Sequence, residues 1–166
     1  MIKIGIDPSG TGTTGIIIYE DNKLKEKFEF TSMLWLKHVS FIKDILCKCK
    51  YCNFLSIINI ENCLPTNANG SKDRDDLLRV LGAIEAIEIK KKHYTIINWV
   101  SNWVSPKYTK SVVKNIENLS KYNDSCLWKY DKDPNLTYQY GKGWFYNNEK
   151  ISNHLRDAII IANYER

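Results

Sequence analysis

No stretch of this sequence stays apolar long enough to cross a bilayer, and no N-terminal run has the basic, apolar and cleavage-site order of an export signal. A cytoplasmic protein without a membrane partner is therefore expected. Disulfide pairing is not expected either. The five cysteines are odd in number, and without export they should stay reduced. Cys47, Cys49 and Cys52 cluster in CKCKYC, but no second pair completes the four-ligand set that zinc requires, so small buried or half-buried thiols fit better. A calcium loop is imitated by DKDPN, yet Leu136 stands where that loop demands glycine. There is no internal repeat and no linker, so the 166 residues read as one domain, 1–166. A net charge of +5 leans only gently toward a polyanionic partner.

Glycine is scarce, with 8 residues, and three of them stand together in IGIDPSGTGTTGIIIYE. Gly10, Gly12 and Gly15 spell G-x-G-x-x-G, but a dinucleotide site needs a helix to open there and offer its free N–H groups to a pyrophosphate. Ile16-Ile17-Ile18-Tyr19 follow instead, β-branched and aromatic residues that favour a strand. The glycines read as a hairpin turn.

Period-two patterning predicts strands over Ile2–Ile6, Thr14–Tyr19 and Leu24–Phe30, with a turn at EDNK and with Leu24, Phe28 and Phe30 sharing one face. Leu34–Cys49 changes to helical period. Phe54–Ile60 reads as a strand buried on both faces, and Leu77, Leu81, Ile84 and Ile87 mark a second helix. A fifth strand is expected over Tyr94–Val100. Ser105-Pro106 then supplies an N-cap and a first-turn proline for a helix through Ile116, and Ser152 caps a last helix. No structure is assigned to 120–149. An antiparallel hairpin followed by crossovers gives an α/β fold: a mixed five-stranded sheet, a three-strand antiparallel meander plus two parallel strands, flanked by helices.

That order gives the acids a meaning. Asp7 and Glu61 end strands that are expected to be parallel neighbours, and so meet at the edge where open α/β sheets bind ligands. In NHLRDAIIIA, His154 and Asp157 are three apart, on one helical face beside the core stripe. Each has a plainer reading. Asp7 can cap a turn, Asp157 can answer a helix dipole, and His154 can be structural. Glu61 is harder to explain that way, because a carboxylate closing an apolar strand needs pairing or a metal.

Converging carboxylates repel, and divalent cations remove the conflict. Two Mg²⁺ ions about 3.5–4 Å apart can hold a scissile phosphate and activate water. Asp7 is expected to bridge both, with Glu61 and Asp157 completing one each. His154 suits Mn²⁺ better, or steadies water or phosphate.

Taken together, IGIDPSGTGTTG, IINIEN, LLRVLGAIEA, VSPKYTKSVVK and HLRDAIIIA resemble, in order, the RuvC-like Holliday-junction resolvases of the RNase H-like superfamily. The resemblance implies an RNase H-like fold with Asp7, Glu61, His154 and Asp157 as the catalytic, metal-binding set. It also implies a homodimer that nicks two opposed strands of branched DNA. Two departures stand out. Leu64 and Pro65 lie where the family often has a junction-wedging aromatic, and an aromatic insert at 120–149 replaces its basic glycine loop.

Lys107, Lys110 and Lys114 recur at helical spacing, as a phosphate-tracking face or simply a solvated one. Lys142 and Trp144 lie in an aromatic-basic stretch that either stacks on unpaired bases or packs on the core. Gly82 and Ala83 mark the second helix as a dimer seam. The alternatives are a YqgF-like nuclease acting on RNA, a sugar-kinase or actin-like phosphate binder, which needs two such domains, and a junction binder without catalysis.

Overall fold

Ile2, Ile4 and Ile6 alternate with Lys3 and Gly5, and this period-two run forms β1 (Ile2–Asp7). β2 (Thr13–Glu20) returns antiparallel, pairing Asp7 with Gly15 and Ile2 with Glu20. Asp21 and Asn22 both take positive φ, 49° and 60°, as a two-residue hairpin requires, and β3 (Lys23–Thr31) follows. A register shift between Ile18 and Tyr19 turns Leu24 to pair with Tyr19 while Phe28 pairs with Ile16. Leu24 therefore packs on the opposite side of the sheet from Phe28, contrary to the shared face its spacing predicted.

In this computed structural model residues 1–48, 56–63, 72–94, 99–123 and 125–165 are described. The chain continues as α1 (Trp35–Lys48), β4 (Ser56–Glu61), α2 (Lys72–Tyr94), β5 (Trp99–Val104), α3 (Pro106–Ser120), the short strands β6 (Trp128–Lys129), β7 (Leu136–Gln139), β8 (Gly143–Tyr146) and β9 (Glu149–Lys150), and α4 (Asn153–Ala162). The main sheet has the order β3-β2-β1-β4-β5, with β1–β4 and β4–β5 parallel. This is the expected mixed sheet. The fifth strand, however, starts at Trp99, because α2 runs to Tyr94. Residues 128–150, left unassigned from sequence, form a second antiparallel sheet, β6-β7-β8-β9. Its last hairpin turns on Asn147 and Asn148, both at positive φ. Cys49, Cys52 and Leu64 lie outside the described residues. No helix among the described residues is long and apolar enough to cross a membrane.

The sheet separates two cores. On one face Ile4, Ile6, Ile16 and Ile58 meet Ile42 and Leu46 of α1 and Val80 and Ile84 of α2. On the other, Ile17 and Tyr19 meet Leu155, Ala158 and Ile159 of α4 together with Leu136, Trp144 and Tyr146 of the small sheet. Tyr19 donates its hydroxyl to the buried Asp133, pinning the small sheet to β2. Burial and that carboxylate raise the Tyr19 pKa well above its usual range.

α4 lies directly on the strands because two glycines leave room. A Cβ on Gly5 would stand 2.1 Å from the Ala158 carbonyl oxygen, and one on Gly15 would stand 2.6 Å from that of His154. Both contacts are with backbone, so neither position admits a side chain without moving the helix.

Candidate active site

The parallel register of β1 and β4 ends at Ile6 and Ile60, one residue before Asp7 and Glu61. The two carboxyls consequently fall side by side, close enough for each to act on the other's charge. Ser152 starts α4 by accepting from the Leu155 N–H, and its hydroxyl donates to Glu29 of β3. So capped and seated on Gly15, α4 brings His154 Nδ1 to 3.0 Å from Asp7 Oδ2. Asp157, one turn on, adds its charge to the fields at both Asp7 and Glu61.

Burial raises the Asp7 carboxyl above the ordinary range, and the Asp157 charge adds to this while His154 opposes it. Burial likewise pushes Glu61 up to about 7, helped by the charges of Asp7 and Asp157. His154 is raised, chiefly by its hydrogen bond to Asp7. The site thus holds protons against its own repulsion.

Thr109 sits one turn into α3, close enough to Glu61 to ease its charge. Its Oγ1 is buried and lacks a hydrogen-bond partner of good geometry. Ser105 fixes the helix start: its side chain accepts from the Lys107 N–H at 3.3 Å, with Pro106 in the first turn. Lys110 and Lys114, both exposed, line a cleft of about 220 Å³ between α3 and α4 with Glu61, Thr109, Arg156 and Asp157. Lys107 is exposed outside that lining, and Lys142 is exposed at the turn between β7 and β8.

Of the two readings open for Trp144, stacking on bases or packing on the core, the structure takes the second: the ring is 3% exposed and packs within the second core, so it is not a surface available to bases. Its Nε1 donates to Glu117 Oε1 at 3.1 Å, and the Arg156 guanidinium lies 5.4 Å from the ring centroid. β8 alternates, so the same strand turns Trp144 and Tyr146 inward and leaves Phe145 half-buried.

Arg156 had no assigned role. It grips Asp157 with two parallel bonds, Nε to Oδ1 at 2.8 Å and Nη2 to Oδ2 at 3.0 Å. Adjacent helical residues do not normally face one another, so no spacing rule foretells the pair. Gly5, Gly15 and Thr109 also position the site without any chemistry-bearing side-chain pattern to announce them.

Three carboxylates, an imidazole and an unpartnered buried hydroxyl form a donor set whose chemistry fits hard divalent cations. Among the described residues, no group of three or more His, Cys, Asp or Glu side chains is already arranged to hold one. The donors are instead engaged internally, Asp7 with His154 and Asp157 with Arg156.

Strand order 3-2-1-4-5 with flanking helices defines an RNase H-like α/β fold. Within that class the chain is similar to Thermus thermophilus RuvC in complex with Holliday junction substrate, with a TM-score of 0.58 at 15% identity over 98% of this chain and 90% of that one. A second Thermus thermophilus RuvC structure gives 0.54 at 14% identity, covering 98% and 92%. At these identities the likeness is one of fold. By sequence, no family profile and no curated protein matches the chain.

Proposed function

We propose that this chain is a metal-dependent, structure-selective endonuclease that resolves four-way DNA junctions by paired symmetric nicks, acting as a homodimer. The observation that carries the reading is the meeting of Asp7, Glu61, His154 and Asp157 at one end of a sheet with the fold of RuvC. A buried anionic cluster that shifts its own pKa values upward is the kind of site in which cations replace protons. In this reading Asp7, Glu61 and Asp157 hold two Mg²⁺ or Mn²⁺ ions. Bound there, the ions would supply an activated water and charge stabilisation at the scissile phosphate. His154 orients Asp7 and sits at hand for a proton.

Lys107, Lys110, Lys114 and Lys142 are exposed and serve in this reading as phosphate contacts that hold DNA against a site that repels it. A second copy docks along α2, where exposed Leu78 and the open surface at Gly82 flank a groove of about 350 Å³ that includes Trp103. Incubation with an end-labelled synthetic four-way junction, with and without Mg²⁺ or Mn²⁺, tests the reading. Paired, symmetric, metal-dependent nicks are expected. Random degradation, or preferential cutting of single-stranded RNA, overturns it in favour of a different nuclease.

A further inference from the structure

We propose that Arg156 is an internal counter-cation that closes Asp157 to divalent metal until a nucleic-acid phosphate draws the guanidinium into the cleft between α3 and α4. The proposal rests on the nuclease reading and deepens it.

Arg156 is built into the site from three sides. Two of its nitrogens engage both oxygens of Asp157, and Nη1 donates to Asn153 Oδ1 at 2.9 Å. Trp144 lies against the guanidinium and is itself tethered to Glu117. The Arg156 side chain is only 11% exposed. A fork of this kind matches a carboxylate in charge and in geometry, and it is stronger than a lysine contact at the same place. While it is closed, a cation reaching Asp157 meets a positive charge and two occupied oxygens. Cation binding at Asp157 and the Arg156 pair therefore compete.

The cleft offers the guanidinium somewhere to go. Arg156 and Asp157 share its lining with Lys110, Lys114 and the unpartnered Thr109 hydroxyl. A phosphate placed there presents the same two-oxygen face to the fork, with lysines beside it and a hydroxyl donor below. Capture of Arg156 by phosphate frees Asp157, so substrate and metal favour each other's binding, and by linkage the effect runs both ways. A metal site closed in the absence of substrate would also limit stray cutting.

The test uses Mn²⁺ alone, with free ion followed by its paramagnetic resonance signal and no DNA present. If the fork is closed about nine-tenths of the time, opening it tightens the apparent Kd about ten-fold. Arg156→Gln is expected to show that gain, and Arg156→Lys a smaller one in the same direction, with folding of each checked by thermal melt. Lys150→Gln, which removes an exposed charge just ahead of α4 but no pair with Asp157, should leave Mn²⁺ affinity near that of wild type. Equal or weaker binding by both Arg156 variants overturns the proposal, as does an equal gain in Lys150→Gln, which would reduce the effect to a general field.

In EDTA, four-way junction affinity read by fluorescence anisotropy should fall several-fold in Arg156→Lys, although the charge is kept. Unchanged affinity there overturns the exchange with phosphate. Wild type that binds Mn²⁺ and cuts junctions while the variants titrate like it sinks this inference alone. If no form binds Mn²⁺ and no junction is cut, the nuclease reading falls with it.

Discussion

Asp7 and Asp157 carry the same group at the same site, yet the protein handles their charges differently. Asp7 ends a strand and is buried, and its repulsion is relieved by protons, through His154 and through the raised carboxyl of Glu61. Asp157 lies on a helix and is relieved by a guanidinium that stays charged at any pH the protein survives. The Asp7, Glu61 and His154 cluster should therefore respond to pH. The difference follows from position: a strand end enclosed by α4 and Glu61 leaves no room for a long cation, whereas the cleft beside α3 admits one.

The largest expected effect strikes the strand half. Asp7→Asn should lower metal-dependent junction cleavage roughly a thousand-fold or more, with junction binding by anisotropy preserved. In metal-free buffer the same variant should melt a few degrees higher, because the net upward shift at Asp7 means that its ionised form is disfavoured in the fold. A variant that melts lower would show that the His154 pair outweighs burial.

Next comes the seam that joins the halves. Gly5→Ala forces a methyl against the backbone of α4 at Ala158, and neither side is a flexible side-chain tip. A loss of about 2–3 kcal/mol in urea unfolding is expected. Because α4 carries His154 and Asp157, cleavage should fall along with stability. Loss of stability with full activity would show that α4 re-seats without disturbing the site.

The pH response sharpens the contrast further. Glu61 rises from 4.5 to about 7, and His154 is raised above 6.5. Both groups bind protons more tightly folded than unfolded, so their contribution is complete below the unfolded value and is lost as pH climbs through the folded one. Metal-free stability should therefore fall between about pH 4.5 and 7, by roughly 2 kcal/mol from Glu61, with His154 extending the loss above 6.5. Glu61→Gln should flatten the lower part of that slope in equilibrium unfolding.

The smallest effect is spectroscopic. The His154 imidazole should titrate above 6.5 by NMR, and Asp7→Asn should bring it back down, since the hydrogen bond to Asp7 is the leading cause of its shift. No change would mean that the pair seen at 3.0 Å does not persist in solution.

Much of this contrast was legible in residue order. Asp7 and Glu61 are strand-terminal because apolar runs stop at them, and a parallel pairing then aligns them. Ser105-Pro106 and Ser152 announced their helices, since capping acts within three residues. The small sheet was not legible. Its strands are only two to four residues long, too short for a period to declare itself, and its strongest signal is the Asn147-Asn148 hairpin turn. Trp144 illustrates the limit. A sequence that interleaves aromatic and basic residues does not say which face is covered, and burial against α4 and Glu117 decided it.

The sequence alone determined the order of the main sheet's strands and helices, the caps of α3 and α4, the acids that end β1 and β4, and that four chemistry-bearing side chains would share one edge. Those features rest on interactions that reach a few residues along the chain. The tertiary structure decided the rest: the face that Leu24 takes after a bulge, the seat of α4 on Gly5 and Gly15, the enclosure of Trp144, and the grip of Arg156 on Asp157. Each depends on which distant surface closes over a residue, and side-chain spacing carries no record of that.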